Sequence, residues 1–167
     1  SWFELDCSSP PDREHALCDG QEGPVVVTGA VGTRRSVIFD GEGDGDLDLI
    51  TAEFHAPPQV LVSDLAQRGT TRWIEVRLRG TRSNRDAIGA EVRLSAASGE
   101  QYRFHDTASG YLSHSLMPMW FGLGTDEEAI SIEVTWPSGE VQTFDGPFAS
   151  TSRLELIEGE AQPARLE

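Results

Sequence analysis

The residues best equipped for chemistry lie in one short run, Phe39-Asp40-Gly41-Glu42-Gly43-Asp44-Gly45-Asp46-Leu47-Asp48-Leu49. Acids occupy loop positions 1, 3, 5, 7 and 9, counted from Asp40, and Gly45 occupies position 6. A hard divalent cation needs several oxygens at about 2.3–2.6 Å, and a calcium loop supplies them from alternate residues wrapped round the ion, with a glycine at the sharp bend. The expected ligands of one Ca2+ are the carboxylates of Asp40, Glu42, Asp44 and Asp48, joined by the backbone carbonyl of Asp46. Without an ion, five acids in nine residues repel one another. The loop is not an EF-hand, because the closing glutamate is missing and the flanks read as strands. Glu42 stands where such loops usually carry Asp or Asn, and its extra methylene loosens the site.

Catalytic constellations are weaker. His15, His55, His105 and His114 are scattered, although His105-Asp106 and Ser113-His114-Ser115 contain the residue types of a hydrolytic triad. A triad needs a spatial arrangement, and neighbours along a strand point to opposite faces. Gly-x-Ser-x-Gly, phosphate-loop and haem-attachment motifs do not occur. The chain is not expected to be an enzyme.

Cys7 and Cys18 bracket a polar stretch with no periodicity, Ser-Ser-Pro-Pro-Asp-Arg-Glu-His-Ala-Leu. A pair of cysteines closing a short polar loop reads as a disulfide and hence as an oxidising compartment. Two free thiols are the alternative. Zinc is disfavoured, because only His15 is near and a structural site wants four ligands.

Charge narrows the partners. The 167 residues carry a formal net charge of −15, with 28 acids against 13 basic residues, every one of them arginine. Nucleic acid and anionic membrane surfaces are therefore disfavoured. The charge is uneven: residues 1–65 are net −10, residues 66–103 net +4 and residues 104–167 net −9. The all-arginine usage has two readings: a GC-rich coding bias, or a central arginine strip that meets an acidic partner or the chain's own acidic ends. No apolar run approaches the roughly 20 residues of a membrane helix. No secretory leader is recognisable, so the chain is expected to be cytoplasmic or already processed.

The elements that must position these residues are strands. Val25–Val27, Ser36–Phe39, Leu47–Phe54 and Gln59–Leu65 are the first candidates, with His55-Ala56-Pro57-Pro58 as a break. Trp73–Arg79 alternates cleanly, with Ile74, Val76 and Leu78 on one face and Glu75, Arg77 and Arg79 on the other. Ile88–Ala96 repeats the pattern, and Ser98-Gly99 turns into Gln101–His105. Ala129–Trp136 sets Ile130, Ile132, Val134 and Trp136 on one face, and Pro137-Ser138-Gly139 turns into Glu140–Phe144. Arg153–Ile157 is a last strand. No window has a helical period, so helix is limited to a turn or two near Asp64–Gln67 or Thr125–Glu128.

Three further segments have two readings each. Arg82-Ser83-Asn84-Arg85-Asp86 is a partner-recognition loop through Arg82 and Arg85, or a structural turn in which Asn84 and Asp86 bond their own backbone. Leu116-Met117-Pro118-Met119-Trp120-Phe121 is core, or an exposed docking patch. Trp2 and Phe3 are expected to pack against this domain or a neighbouring chain.

The stretch Asp40–Leu49, continuing to Pro58, resembles the calcium-loop repeat of FG-GAP or VCBS propeller blades. The chain beyond Pro58 resembles the ASPIC/UnbV domain, found in bacterial secreted proteins and in the cartilage acidic protein family. The matching stretches are Trp73–Ala90, Ser109–Ser113, Phe121–Gly124 and Ile132–Gly139, so the resemblance covers roughly residues 36–150. It implies an extracytoplasmic, calcium-binding, β-rich protein with no catalytic residues to carry over. One blade cannot close a propeller, so the blade-like segment is expected to pack on its own domain or on another polypeptide, unless the chain is a fragment.

The expected fold is all-β: an antiparallel β-sandwich or barrel-like ASPIC/UnbV domain with a blade-like segment and an irregular, disulfide-tied N-terminus. Residues 1–35 form the N-terminal segment, 36–66 the calcium-loop segment, 67–157 the ASPIC/UnbV-like domain and 158–167 an acidic, frayed tail. The expected function is a non-catalytic extracytoplasmic calcium-binding interaction module, an accessory or structural subunit docking on a larger periplasmic or cell-surface assembly. The alternative is a carbohydrate- or matrix-binding module, with Trp120, Trp136 or Tyr111 stacking on sugar rings.

Overall fold

The computed structural model describes residues 2–28, 32–54, 56–69, 71–108 and 114–166; of Trp2, Phe3, Val27 and Thr28 it describes the backbone alone. His55 and the stretch Ser109–Ser113, with Tyr111, lie outside the described residues, as do the side chains of Trp2 and Phe3.

The architecture is all-β. Two four-stranded sheets face each other as a sandwich. The first has the order β11 (Val141–Ala149), β10 (Glu128–Thr135), β7 (Glu91–Ala96), β8 (Gly99–Phe104). The second has the order β13 (Ala164–Leu166), β12 (Ser152–Ile157), β6 (Trp73–Arg79), β9 (Met119–Gly122). All neighbours are antiparallel except β6 and β12, which run parallel with Arg153 beside Glu75 and Glu155 beside Arg77.

Period-2 alternation builds the core. Ile74, Val76 and Leu78 of β6 meet Val92 and Leu94 of β7, Ile132 and Val134 of β10, Phe121 of β9 and Leu154 and Leu156 of β12 in one cluster. Trp136 and Phe144 close it. Each fully buried large apolar side chain contributes roughly 1.5–3 kcal/mol relative to exposure.

Two expectations about this core change. Ile130 does not share the face of Ile132; it is 58% exposed, and Ala129 is buried in its place. The cause is a β-bulge between Ala129 and Ser131, which inserts one residue and inverts the facing of everything before it. Trp136 is 1% exposed, and its Nε1 donates to Gln142 Oε1 at 3.1 Å, so it offers no sugar platform.

Two small sheets accompany the sandwich. The chain β3 (Thr33–Phe39), β4 (Asp48–Glu53), β5 (Gln59–Leu61) is an antiparallel meander, followed by one helical turn, α1 (Leu65–Arg68). At the N-terminus β1 (Trp2–Asp6) pairs with β2 (Pro24–Thr28), so the segment 1–35 holds a hairpin as well as irregular chain. Cys7 and Cys18 are bonded and form a small separate cluster with Leu5 and Val25. At the other end β13 pairs with β12, and Glu158 is buried, so the stretch 158–167 contributes to the sandwich.

The acidic loop and its seat on the sandwich

The acidic loop joins β3 to β4, and strong local chemistry forces it to curl. Gly43 and Gly45 adopt φ of +79° and +89°, a region that side-chain-bearing residues avoid. Asp40 Oδ1 accepts from Gly43 N at 2.6 Å and Asp40 Oδ2 from Gly45 N at 3.2 Å. Asp48 straddles the loop, with Oδ2 accepting from Gly41 N at 2.8 Å and Oδ1 from Ser63 N at 2.9 Å. Asp44 accepts from Asp46 N and from Gln67 Nε2.

The spacing of the loop assigns Asp46 a part for its carbonyl; its side chain is buried, the residue being 2% exposed. Its Oδ2 accepts from Ala66 N at 2.8 Å, which caps the first turn of α1 from 20 residues away. Its Oδ1 is shut off from solvent and has no hydrogen-bond partner. An unsatisfied buried polar atom costs about 1–3 kcal/mol.

Glu42 is exposed, and lost hydration, then the facing Asp44, Asp48, Asp46 and Asp40 carboxylates, raise its pKa above the ordinary value. That is the electrostatic cost of gathering five acids. Among the described residues no three Asp, Glu, His or Cys side chains stand in a metal-holding group. The carboxylates of Asp40, Asp44, Asp46 and Asp48 each accept from at least one backbone N–H group.

The outer face of the β6–β12 pair is the seat of this loop. Trp73, Glu75, Arg77 and Arg79 project from β6 on the side opposite the core. Gly45 packs so closely on the Trp73 indole that a Cβ there would overlap it. Strand alternation predicts a solvent-facing Glu75, yet this residue is 2% exposed, because the loop segment covers it. Arg153 knits the layers together: Nε donates to Glu75 Oε2 at 3.1 Å, Nη2 to Asp40 Oδ2 at 3.3 Å, and its guanidinium lies 5.3 Å from the Trp73 ring centroid. Arg77 Nε donates to the other Glu75 oxygen at 2.7 Å.

This network decides where the central arginine strip is answered. Of the eight arginines in residues 66–103, Arg68, Arg72, Arg77, Arg79, Arg82 and Arg93 pair with the chain's own carboxylates. Arg82 meets Glu140. Arg103 lies over the Phe121 ring. Arg85 has no carboxylate partner among the described residues.

The loop carrying Arg82 and Arg85 is a built turn. Asn84 exchanges two bonds with Ile88, its Oδ1 accepting from Ile88 N and its Nδ2 donating to Ile88 O, both at 2.9 Å. Glu158, which the sequence places in a frayed tail, is the anchor. Its Oε2 accepts from the backbone N–H groups of Thr81, Arg82 and Ser83 at 2.7–2.8 Å, and its Oε1 from the Ser83 and Ser138 hydroxyls. Burial pushes the carboxyl up; the Ser138 hydroxyl and the Ser83, Thr81 and Arg82 amides outweigh burial and hold it down at about 2. Nothing in local periodicity marks Glu158, because its partners lie about 75 residues away.

Of the residue types of a triad, Ser113 lies outside the described residues. His105 is buried, and burial lowers its pKa against weaker opposing pulls from Asp86 and Asp106. His114 Nδ1 lies 3.3 Å from Thr107 Oγ1. Trp120 is half-buried, with its ring centroid 4.7 Å from that of Trp73. The two line a cavity of about 520 Å3 between the acidic loop and the sandwich, with Asp46 in its wall. No helix among the described residues is long and apolar enough to cross a membrane.

Comparison with known proteins agrees with this layout. The family model described as ASPIC and UnbV matches residues 80–163. Cartilage acidic protein 1 of Mus musculus and that of Homo sapiens are each 41% identical over 107 residues, covering 63% of this chain and 16% of theirs. Cartilage acidic protein 1 of Xenopus tropicalis is 40% identical over 108 residues, covering 64% of this chain and 16% of its own. The chain thus spans about a sixth of the length of these relatives. The match spans β7 to β12 of the sandwich, and the chain belongs to the ASPIC and UnbV family.

Proposed function

We propose that the chain is a non-catalytic extracytoplasmic interaction module in which one calcium ion locks the 36–66 segment onto the ASPIC/UnbV sandwich, presenting a fixed surface to a partner protein in a larger assembly. The observation that carries the reading is the buried, unpartnered Oδ1 of Asp46 inside a loop of five acids. The donor set is all hard oxygen, as calcium prefers. Asp40, Glu42, Asp44 and Asp48 would hold the ion with Asp46, and the ion would supply the positive charge that the loop lacks. The blade-like segment then resembles an FG-GAP or VCBS repeat used as a fixed wedge. The Cys7–Cys18 disulfide supports an oxidising compartment outside the cytoplasm. The likeness to proteins named cartilage acidic protein 1 supports a non-catalytic extracellular module.

The test is thermal unfolding with calcium, magnesium and chelator. Binding to the folded state alone stabilises by about 2.7 kcal/mol when calcium stands a hundredfold above Kd. The melting temperature is expected to fall on chelation, to recover with calcium more than with magnesium, and to lose the response in Asp44→Ala. Identical curves in all conditions overturn the calcium reading. Calcium-dependent capture of a defined partner from the native source tests docking.

A second reading is favoured by the cavity between loop and sandwich. The half-buried Trp120 offers a ring face, and Trp73 Nε1 is a buried donor without an acceptor. A ring face with a donor and an acceptor nearby suits a saccharide. Glycan binding lost in Trp120→Ala supports that reading.

A further inference from the structure

A second cavity, of about 330 Å3, opens on the same outer sheet face beyond the acidic loop. Arg77 and Arg79 reach it from β6, Arg85 from the turn held by Glu158, and Glu155 from β12. Met117 and Pro118 form an apolar wall with Leu116. Three arginines share this lining with two acids, Asp86 and Glu155. Arg79 gives Nη2 to Glu155 at 3.2 Å, yet its Nε is buried with no acceptor. Arg77 spends only Nε on Glu75, which leaves its other N–H groups to the opening. Arg85 is exposed and pairs with no carboxylate among the described residues.

A guanidinium fork matches a carboxylate in bidentate geometry. The protein as a whole is net −15, so a polyanion would be repelled over most of the surface. A single carboxylate inserted between arginines is not repelled in that way, and the apolar wall accepts the aliphatic group beside it. We infer that this cavity is a docking pocket for one carboxylate with an adjoining aliphatic side chain, as presented by an acidic or C-terminal segment of a partner protein, with Arg85 as the main contact. The inference rests on the docking reading above and names its site and its partner's chemistry.

The experiment is an NMR titration of the isotope-labelled, calcium-loaded chain. N-acetyl-L-leucine carries both features of the proposed ligand. N-acetyl-L-leucinamide lacks the charge, and sodium sulfate lacks the aliphatic group. N-acetyl-L-leucine is expected to shift the Arg85 Nε–H and Met117 methyl signals saturably, the amide to leave them in place, and sulfate to bind at least tenfold more weakly. Arg85→Ala is expected to weaken binding at least tenfold. Leu116→Glu, which brings a competing carboxylate to the wall while Arg85 stays, is expected to do the same. Melting curves check that both variants fold. No shift, an equal response to the amide, or binding unchanged in both folded variants overturns the pocket. Equal binding of sulfate shows a general anion surface and overturns the peptide assignment. None of these outcomes touches the calcium response or the capture of a partner elsewhere on the surface, so the two readings fail separately.

Discussion

Arg153 and Asp40 are 113 residues apart in the chain, and Arg153 Nη2 reaches Asp40 Oδ2 at 3.3 Å. The contact joins the first acid of the loop to β12 of the sandwich. The same guanidinium holds Glu75, which the loop buries. Loop and sandwich therefore share one charge network, and neither side can be altered without the other.

Replacing Arg153 with Met leaves Glu75 buried beside a single arginine and frees Asp40. Breaking a fully buried pair costs roughly 3–5 kcal/mol; Arg153 is partly exposed, so a loss of about 2–3 kcal/mol is expected in chemical unfolding. Limited proteolysis should cut within residues 36–66 first. Unchanged stability and an uncut segment would show that the contact is incidental.

Gly45→Ala acts on one point of the same interface. The left-handed backbone alone costs an alanine about 1–2 kcal/mol, and its methyl group would collide with the Trp73 indole. The expected readout is a lower melting temperature with red-shifted tryptophan emission. Gly43→Ala, which meets nothing nearby, should lower stability without the spectral change.

Acid should unfold the sandwich through Glu158. Its carboxyl is held at about 2, below the ordinary 4.5. A depressed carboxylate contributes stability that is present above the unfolded value and lost as pH falls through the folded one. The loss should therefore run from about pH 4.5 down to 2. Glu158→Gln keeps a carbonyl oxygen for the three backbone N–H groups but loses the charge that strengthens these bonds and turns an NH2 toward the Ser83 and Ser138 hydroxyls, a loss of about 1–3 kcal/mol. Its stability should be lower at neutral pH and flatter through the acid range, measured by urea unfolding at several pH values.

Reducing the disulfide should act locally. Opening an 11-residue closure removes roughly 3 kcal/mol by chain entropy. The cluster of Leu5, Cys7, Cys18 and Val25 is separate from the sandwich core. Hydrogen exchange should rise over residues 2–28 and stay unchanged in β6, β7 and β10. Loss of protection in β6 would show that the N-terminal hairpin supports the sandwich.

Elements whose information is local are legible in the amino-acid order. Trp73–Arg79 reads as a strand because alternation needs only its own seven residues, and the structure gives β6 those bounds. The short Cys7–Cys18 closure is legible for the same reason, as are the glycine bends of the acidic loop. Features that depend on non-local pairing emerge only when the chain is folded. The bulge at Ala129–Ser131 turns Ile130 outward because β11 and β7 set the register of β10. Glu75 and Arg153 look like ordinary surface charges in alternating strands until the parallel pairing of β6 and β12 puts them side by side. Glu158 reads as a tail residue, and the loop spacing gives the Asp46 side chain no part. Both are buried carboxylates because their amide partners come from residues 66 and 81–83, and no spacing rule within a strand or loop foretells a bond across the chain.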